Sequence, residues 1–332
     1  MSTNGITVVF PVKNEATIIL KSVREIVSQL DKNDELLIID AGSNDETLMI
    51  LRDQALNDRR IRLIEELEMY PGTARNLGVK LSANETLFFL DAGHDFAADL
   101  LKSLRESKAN TQANFVFVNR LLNKTGPLWY RANALLFEPI GTRLNGIYYR
   151  HPKVSGMLTT KADFDKVGPF LQWRSGEDRE FLERITSGGF SVLNCAKCYM
   201  FAQPDRGALY SLRKKIFYSL DKQGRGIQKY QWKSLIFPSI LSGSFAVPIG
   251  TSARISILGT SAAFFYSSRV ANRVQQIARV PKNDFSSSLR VILFAVFWLF
   301  LSDMAVSFGL VLLALKKMGI NFFRKPITSP TK

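Results

Sequence analysis

Five short stretches hold the side chains best suited to chemistry. LFFLDAGHDF, residues 87–96, runs four apolar residues into Asp91, with Gly93, His94 and Asp95 close behind. An acid that closes a buried strand can hold a divalent ion through its oxygens; the same residues can also form a polar turn that caps a helix. LLIID (36–40) ends on Asp40 in the same way, and VVFPVKNE (8–15) follows its apolar run with Lys13, Asn14 and Glu15. TARNLG (73–78) places Arg75 and Asn76 in the first turn of an expected helix, where the helix N-terminus and a guanidinium both favour an anion. SGEDREF (175–181) sets Glu177 beside Asp178 at the start of an expected helix, 178–187. There the acids are either functional or simply stabilised by the helix dipole and by Arg174, Arg179 and Arg184.

These residues need a scaffold that brings them together. Residues 6–11 form a β-branched run stopped by Pro11, and 15–30 repeat Ile18, Ile19, Val23, Ile26, Val27 and Leu30 at helical spacing. LLIID, IRLIE (61–65) and LFFLD (87–91) read as further buried strands. A helix is expected after Ser43, Asn44 and Asp45, all good caps, and another over 73–83, opened by Pro71 and Gly72. Near-continuous apolar strands alternating with helices predict an α/β fold, a mostly parallel, Rossmann-like sheet with helices on both faces. Ligands bind such sheets outside the carboxyl ends of the strands. That edge is where Lys13–Glu15, Asp40 and Asp91 fall, placed to hold a nucleoside by hydrogen bonds and a divalent metal by carboxylate oxygens.

The charge of the 332-residue chain is divided. From residue 201 onward there are 19 basic and 4 acidic residues, against 25 of each before it. The basic residues alternate with long apolar runs instead of forming a dense stripe, so a membrane is the expected partner and no nucleic acid is expected. Residues 291–315 are long and apolar enough for a transmembrane helix, and 235–268, broken by prolines, glycines and Arg254, form a second apolar region. Residues 208–222 have the pattern of an interfacial amphipathic helix, with Leu209, Leu212, Ile216, Phe217 and Leu220 on one face. The N-terminus lacks a basic stretch followed by a long apolar one, so the front domain is expected in the cytoplasm and the protein at the membrane, crossing it more than once. Cys195 and Cys198 form a lone C-x-x-C; with no further ligands for zinc, they read as two ordinary cysteines on or near a strand.

VVFPVKNEATI, ELLIIDAGSNDET, PGTARNLGVKLSANETLFFLDAG and GEDREFLERITSGG, in that order, resemble family-2-type inverting glycosyltransferases of the GT-A fold, over roughly residues 5–230. The resemblance implies a domain over 1–230, with 1–120 binding a nucleotide-sugar and 121–230 supplying the acceptor side, followed by a membrane region over 231–332. It implies that Phe10 to Glu15, including Pro11, contact the nucleoside, that Asp40 binds the base, and that Arg75 and Asn76 lie near the diphosphate. Asp91 matches the first acid of the family's D-x-D motif, which holds Mg²⁺ or Mn²⁺ and the diphosphate; Gly93 stands where the last acid of that motif belongs. Glu177–Asp178 match the acid pair, with Asp178 as the base that deprotonates the acceptor and Glu177 positioning it. DKQGRGIQKY (221–230) either resembles the arginine segment that meets the leaving diphosphate, through Arg225 with Gln223 nearby and Gly226 in place of the usual tryptophan, or is a plain basic interfacial segment. The stretch 121–153, with Trp129, Tyr130, Tyr148, Tyr149 and His151, would face the acceptor. The expected reaction is transfer of a sugar, from UDP by family habit, to a lipid-linked or surface-glycan acceptor at the cytoplasmic membrane face. The alternative is a catalytically silent nucleotide-sugar-binding scaffold, which the missing acid at 93 favours.

Overall fold

The computed structural model describes residues 5–122, 126–137, 143–144, 147–148, 153–202 and 207–220, with Phe297. The chain divides into two compact units, Met1–Asn123 with Ile140–Gln203, and Lys124–Pro139 with Pro204–Lys332.

In the first unit the apolar runs become strands and the periodic stretches helices, in the order β1 (Ile6–Val12), α1 (Ile19–Val27), β2 (Glu35–Ala41), α2 (Thr47–Asn57), β3 (Ile61–Glu66), α3 (Pro71–Leu81) and β4 (Thr86–Phe89). The chain continues through β5 (His94–Phe96), α4 (Leu100–Ala109) and β6 (Phe115–Leu122). The second unit holds α5 (Leu128–Phe137). The first resumes with a ribbon of β7 (Arg143–Leu144) and β8 (Ile147–Tyr148), then β9 (Met157–Thr160), α6 (Lys161–Val167), α7 (Glu177–Ser187) and β10 (Val192–Ala202). Helix α8 (Ala208–Leu220) belongs to the second unit; it covers most of the expected amphipathic stretch, with Leu209 62% exposed.

The main sheet runs β3-β2-β1-β4-β9-β6-β10-β5. The four strands of its first half are parallel, with Phe10 opposite Ile38 and Asp40 opposite Glu65. In the other half β6 and β10 keep that direction, while β9 lies antiparallel between β4 and β6 and β5 antiparallel beside β10, so the sheet is mostly parallel, as expected, with two reversed strands. Alternation along the strands sends side chains to two cores. Val8, Phe10, Ile38 and Phe88 pack with α1 and α4 on one face, while Val9, Leu37, Ile39 and Phe89 pack with α3, α6 and α7 on the other. On that second face Phe89, Phe164, Phe170 and Phe181 make a ring cluster, Phe170 and Phe181 stacking at 4.1 Å. Each buried ring contributes about 1.5–3 kcal/mol relative to exposure, so the cluster anchors α7 firmly to the sheet.

Pro11 is tolerated inside the sheet because β4 pairs only with Ile6 to Val9, leaving that flank of β1 open at residue 11. Two sequence expectations change. His94 and Asp95 are not a polar turn; they open β5, and Ala202 of β10 lies opposite His94. Cys195 and Cys198 are not two separate thiols but a disulfide, buried where β10 shifts register against β6. Among the described residues no helix is long and apolar enough to cross a membrane. The stretches 235–268 and 291–315, Phe297 apart, lie outside the described residues, as do Gln223 and Arg225.

Candidate active site

The carboxyl edge of β1 and β2 is built from two loops tied together. Asn14 takes a left-handed conformation, φ +57°, which an asparagine tolerates better than most side chains. Its side chain accepts from Asn44 N at 2.8 Å, its own N–H donates to Ser43 Oγ at 2.9 Å, and Glu15 N donates to Thr47 Oγ1 at 2.7 Å. This stitching explains why α1 begins at Ile19 and not at 15. Of the expected caps for α2, only Asp45 serves its first turn, accepting from Thr47 N at 3.0 Å. Asp40 is 2% exposed, and its two oxygens accept from Gly42 N, Ser43 N and Ser43 Oγ at 3.1, 2.9 and 2.5 Å. The acid expected to meet a base therefore shapes the loop that would surround one. Glu15 and Pro11 are half-buried beside it.

The other acids converge around α3. Pro71 occupies its first turn, and Gly72 lets the helix approach closely: a Cβ there would sit 2.8 Å from Leu171 O and 3.0 Å from Glu177 Cγ. One turn on, Arg75 is 5% exposed. Its Nη2 donates to Asp91 Oδ1 at 2.9 Å and its Nη1 to Glu177 Oε1 at 3.0 Å. Asn76 lies beside it, and its amide donates to Phe170 O at 2.8 Å and accepts from Phe170 N at 2.9 Å. The Phe170 ring in turn lies 5.6 Å from the Arg75 guanidinium, within cation–π range.

The two acids that Arg75 joins differ in surroundings. Asp91, its N–H donating to Ser155 Oγ at 3.1 Å, has a side chain 36% exposed, whereas that of Glu177 is 6% exposed. Burial pushes the Glu177 carboxyl above the ordinary glutamate range, and neighbouring Asp178 adds to this; the Arg75 guanidinium opposes both without cancelling them. At Arg75 burial works against the charge, but Asp91 and Glu177 more than offset it and hold the guanidinium charged. The two partners thus respond in different senses. Burial dominates at Glu177, whose acid neighbour adds to it, while two carboxylates dominate at Arg75. Asp178 is half-buried in the first turn of α7, its Oδ1 accepting from Arg179 N at 2.7 Å. The side chains of Arg179 and Arg184 pair with Glu183 and Glu180.

Gly93 has φ +85° and an ideal Cβ position whose nearest neighbour, Ile18 Cδ1, is 3.6 Å away. Space would admit an acid there; the backbone conformation selects glycine. His94 Nδ1 lies 3.1 Å from the Asp91 backbone oxygen, and Asp95 pairs with Lys21 of α1. Among the described residues no group of three His, Cys, Asp or Glu side chains is placed to hold a metal ion. One partly exposed carboxylate fits a divalent ion shared with a diphosphate and does not fit one held by protein alone. Sequence reasoning read Gly72 only as part of a helix opening and missed Phe170 and Ser155. Nothing in PGT (71–73) showed which distant segment Gly72 would meet.

Residues 7–167 match Glycosyl transferase family 2. The chain is 32% identical over 112 residues to an uncharacterized glycosyltransferase of Rickettsia felis, covering 34% of this chain and 18% of that relative. It is 28% identical over 125 residues to the GalNAc(5)-diNAcBac-PP-undecaprenol beta-1,3-glucosyltransferase of Campylobacter jejuni, covering 37% and 40%. The match thus spans less than half the length of either relative. The mannosyltransferase PcManGT from Pyrobaculum calidifontis, solved with GDP-Man and Mn²⁺, aligns over 95% of this chain and 88% of its own, at TM-score 0.53 and 16% identity, a likeness of fold. Residues 7–167 are thus similar to a glycosyl transferase family 2 domain, and the mixed sheet with its acid-lined edge shares the fold of the mannosyltransferase.

Proposed function

We propose that this chain is an inverting glycosyltransferase that moves a sugar from a nucleotide-sugar, UDP-linked by expectation, to a lipid-linked or surface-glycan acceptor at the cytoplasmic face of a membrane. The observation that carries this reading is the convergence of Asp91 and Glu177, the residue before Asp178, on one guanidinium. It brings the donor-side acid and the candidate base to a single place at the strand ends.

In this reading the linked loops around Asn14 and Asp40 receive the nucleoside, with Glu15 and Pro11 at its edge. Asp91 faces the diphosphate and would hold a shared Mg²⁺ or Mn²⁺. Such an ion neutralises the charge that builds on the leaving diphosphate. The need for it follows from charge: Asp91, Glu177 and Asp178 outnumber Arg75 where a polyanion must sit. Asp178, partly exposed, takes the acceptor hydroxyl's proton as that oxygen attacks the anomeric carbon from the face opposite the diphosphate. The bond to the diphosphate breaks as the new glycosidic bond forms, and the configuration inverts. Arg225 would meet the leaving diphosphate. The lipid-linked acceptor is supported by the undecaprenol-linked substrate named for the Campylobacter jejuni relative, and the membrane location by the apolar runs of the sequence.

The test is transfer by the purified full chain, with UDP- and GDP-sugars and polyprenyl-diphosphate-linked sugar acceptors, read by mass spectrometry. A product heavier by one sugar, with inverted anomeric configuration, is expected. Tight nucleotide-sugar binding without product across the panel would favour the scaffold reading, for which Gly93 is the motivating observation.

A further inference from the structure

Arg75 is the residue whose surroundings disagree most with its expected part. A phosphate ligand should present a guanidinium to the cleft. Here the side chain is 6% exposed, and both terminal nitrogens are already committed to acids from different segments. Its position is fixed from several sides at once. Gly72 seats α3 against Leu171 and Glu177, Asn76 grips the Phe170 backbone, and the Phe170 ring covers the guanidinium. Turning Arg75 toward a phosphate would leave Glu177 buried without its cation, a costly arrangement. Yet its hydrogen bonding is not saturated, since Nε is buried with no acceptor. The guanidinium can therefore redistribute its hold between the two acids without leaving its place.

We propose that Arg75 is a positioning residue and not a phosphate ligand, one whose guanidinium couples what binds at Asp91 to the setting of Glu177 and of Asp178 beside it. The proposal rests on the glycosyltransferase reading for the identity of the ligand, a metal–nucleoside diphosphate. That ligand competes with Arg75 for Asp91. As it arrives, the guanidinium leans toward Glu177 and fixes the first turn of α7, so the base is set when the donor is present. Linkage then runs both ways: a change at Glu177 must alter donor affinity, and only through Arg75.

The experiment is a set of double-mutant cycles on the full chain. Asp91→Asn and Glu177→Gln are made singly and together, with Arg75 present and in an Arg75→Met background. Arg75→Lys is the second variant should the methionine fail to fold, because one ammonium cannot bridge two carboxylates as a planar fork does. Binding of UDP and of GDP with Mn²⁺ is measured by calorimetry, and ligand-free stability by urea unfolding. With Arg75 present, Glu177→Gln should weaken nucleotide binding about fivefold or more, the lower end of ordinary coupling, because Arg75 then holds Asp91 alone. Without Arg75 the same substitution should change binding less than about twofold. Unfolding should show Asp91→Asn and Glu177→Gln to be non-additive only when Arg75 is present. Equal binding changes in both backgrounds would overturn the proposal. So would loss of nucleotide binding in Arg75→Met with no effect of Glu177→Gln, the signature of a direct phosphate ligand. A wild-type chain that binds no nucleoside diphosphate sinks the donor reading instead, and the unfolding cycle still decides the link between the two acids.

Discussion

Arg75 and Glu177, 102 positions apart in the chain, are joined by a 3.0 Å hydrogen bond between side chains that are each 6% exposed. The contact brings the start of α3 against the start of α7, and with it the donor-side acid and the candidate base to one corner of the sheet.

Glu177 should make stability depend on pH in a definite sense. Its carboxyl is raised by burial first and by Asp178, so the folded state holds a proton that the unfolded chain releases near the ordinary glutamate value of about 4.3. The associated stability is present below that value and declines as pH rises through the higher folded value. Urea midpoints of wild type and Glu177→Gln, compared between pH 4 and 8, should diverge, with the glutamine variant losing less on the way up. A constant difference across that range would remove burial as the dominant influence on Glu177.

Asn76→Ala should cost about 2–3 kcal/mol, because it leaves both the N–H and the C=O of buried Phe170 without their side-chain partner. Chemical denaturation gives the figure directly. A loss under 0.5 kcal/mol would show that the Phe170 segment is not held by this amide.

Gly93→Ala should cost about 1 kcal/mol, the penalty for a β-carbon in the left-handed region, since the space around that position is open. Gly93→Asp should lose a similar amount and tighten Mn²⁺ binding in the presence of UDP, measured by electron paramagnetic resonance. Unchanged Mn²⁺ affinity would place the ion away from Asp91.

Much of the fold is readable in the residues themselves. The unbroken apolar runs 36–39 and 87–90 could only be buried strands, and the acids ending them had to surface at one edge. Which buried residues meet across a hundred positions was not readable. Periodicity tells that Arg75 and Glu177 begin helices, yet nothing local says that the two helix starts touch. Strand β9, a four-residue segment after a stretch rich in arginine and aromatics, carries too short a pattern to reveal that it enters the sheet centre in the opposite direction. Asp40 shows the converse. Its place at a strand end is legible, but whether its oxygens face a ligand or their own loop depends on Gly42 and Ser43 folding back over it. The Cys195–Cys198 disulfide escaped for a like reason, since spacing alone does not show a bulge in a strand.

The most direct test of the central claim compares wild type with Asp178→Asn in sugar transfer from the nucleotide-sugar. The account predicts a fall in kcat of about 10²–10⁴-fold, the contribution of a general base, with the affinity for donor nucleotide little changed. Equal turnover by the two proteins would contradict it.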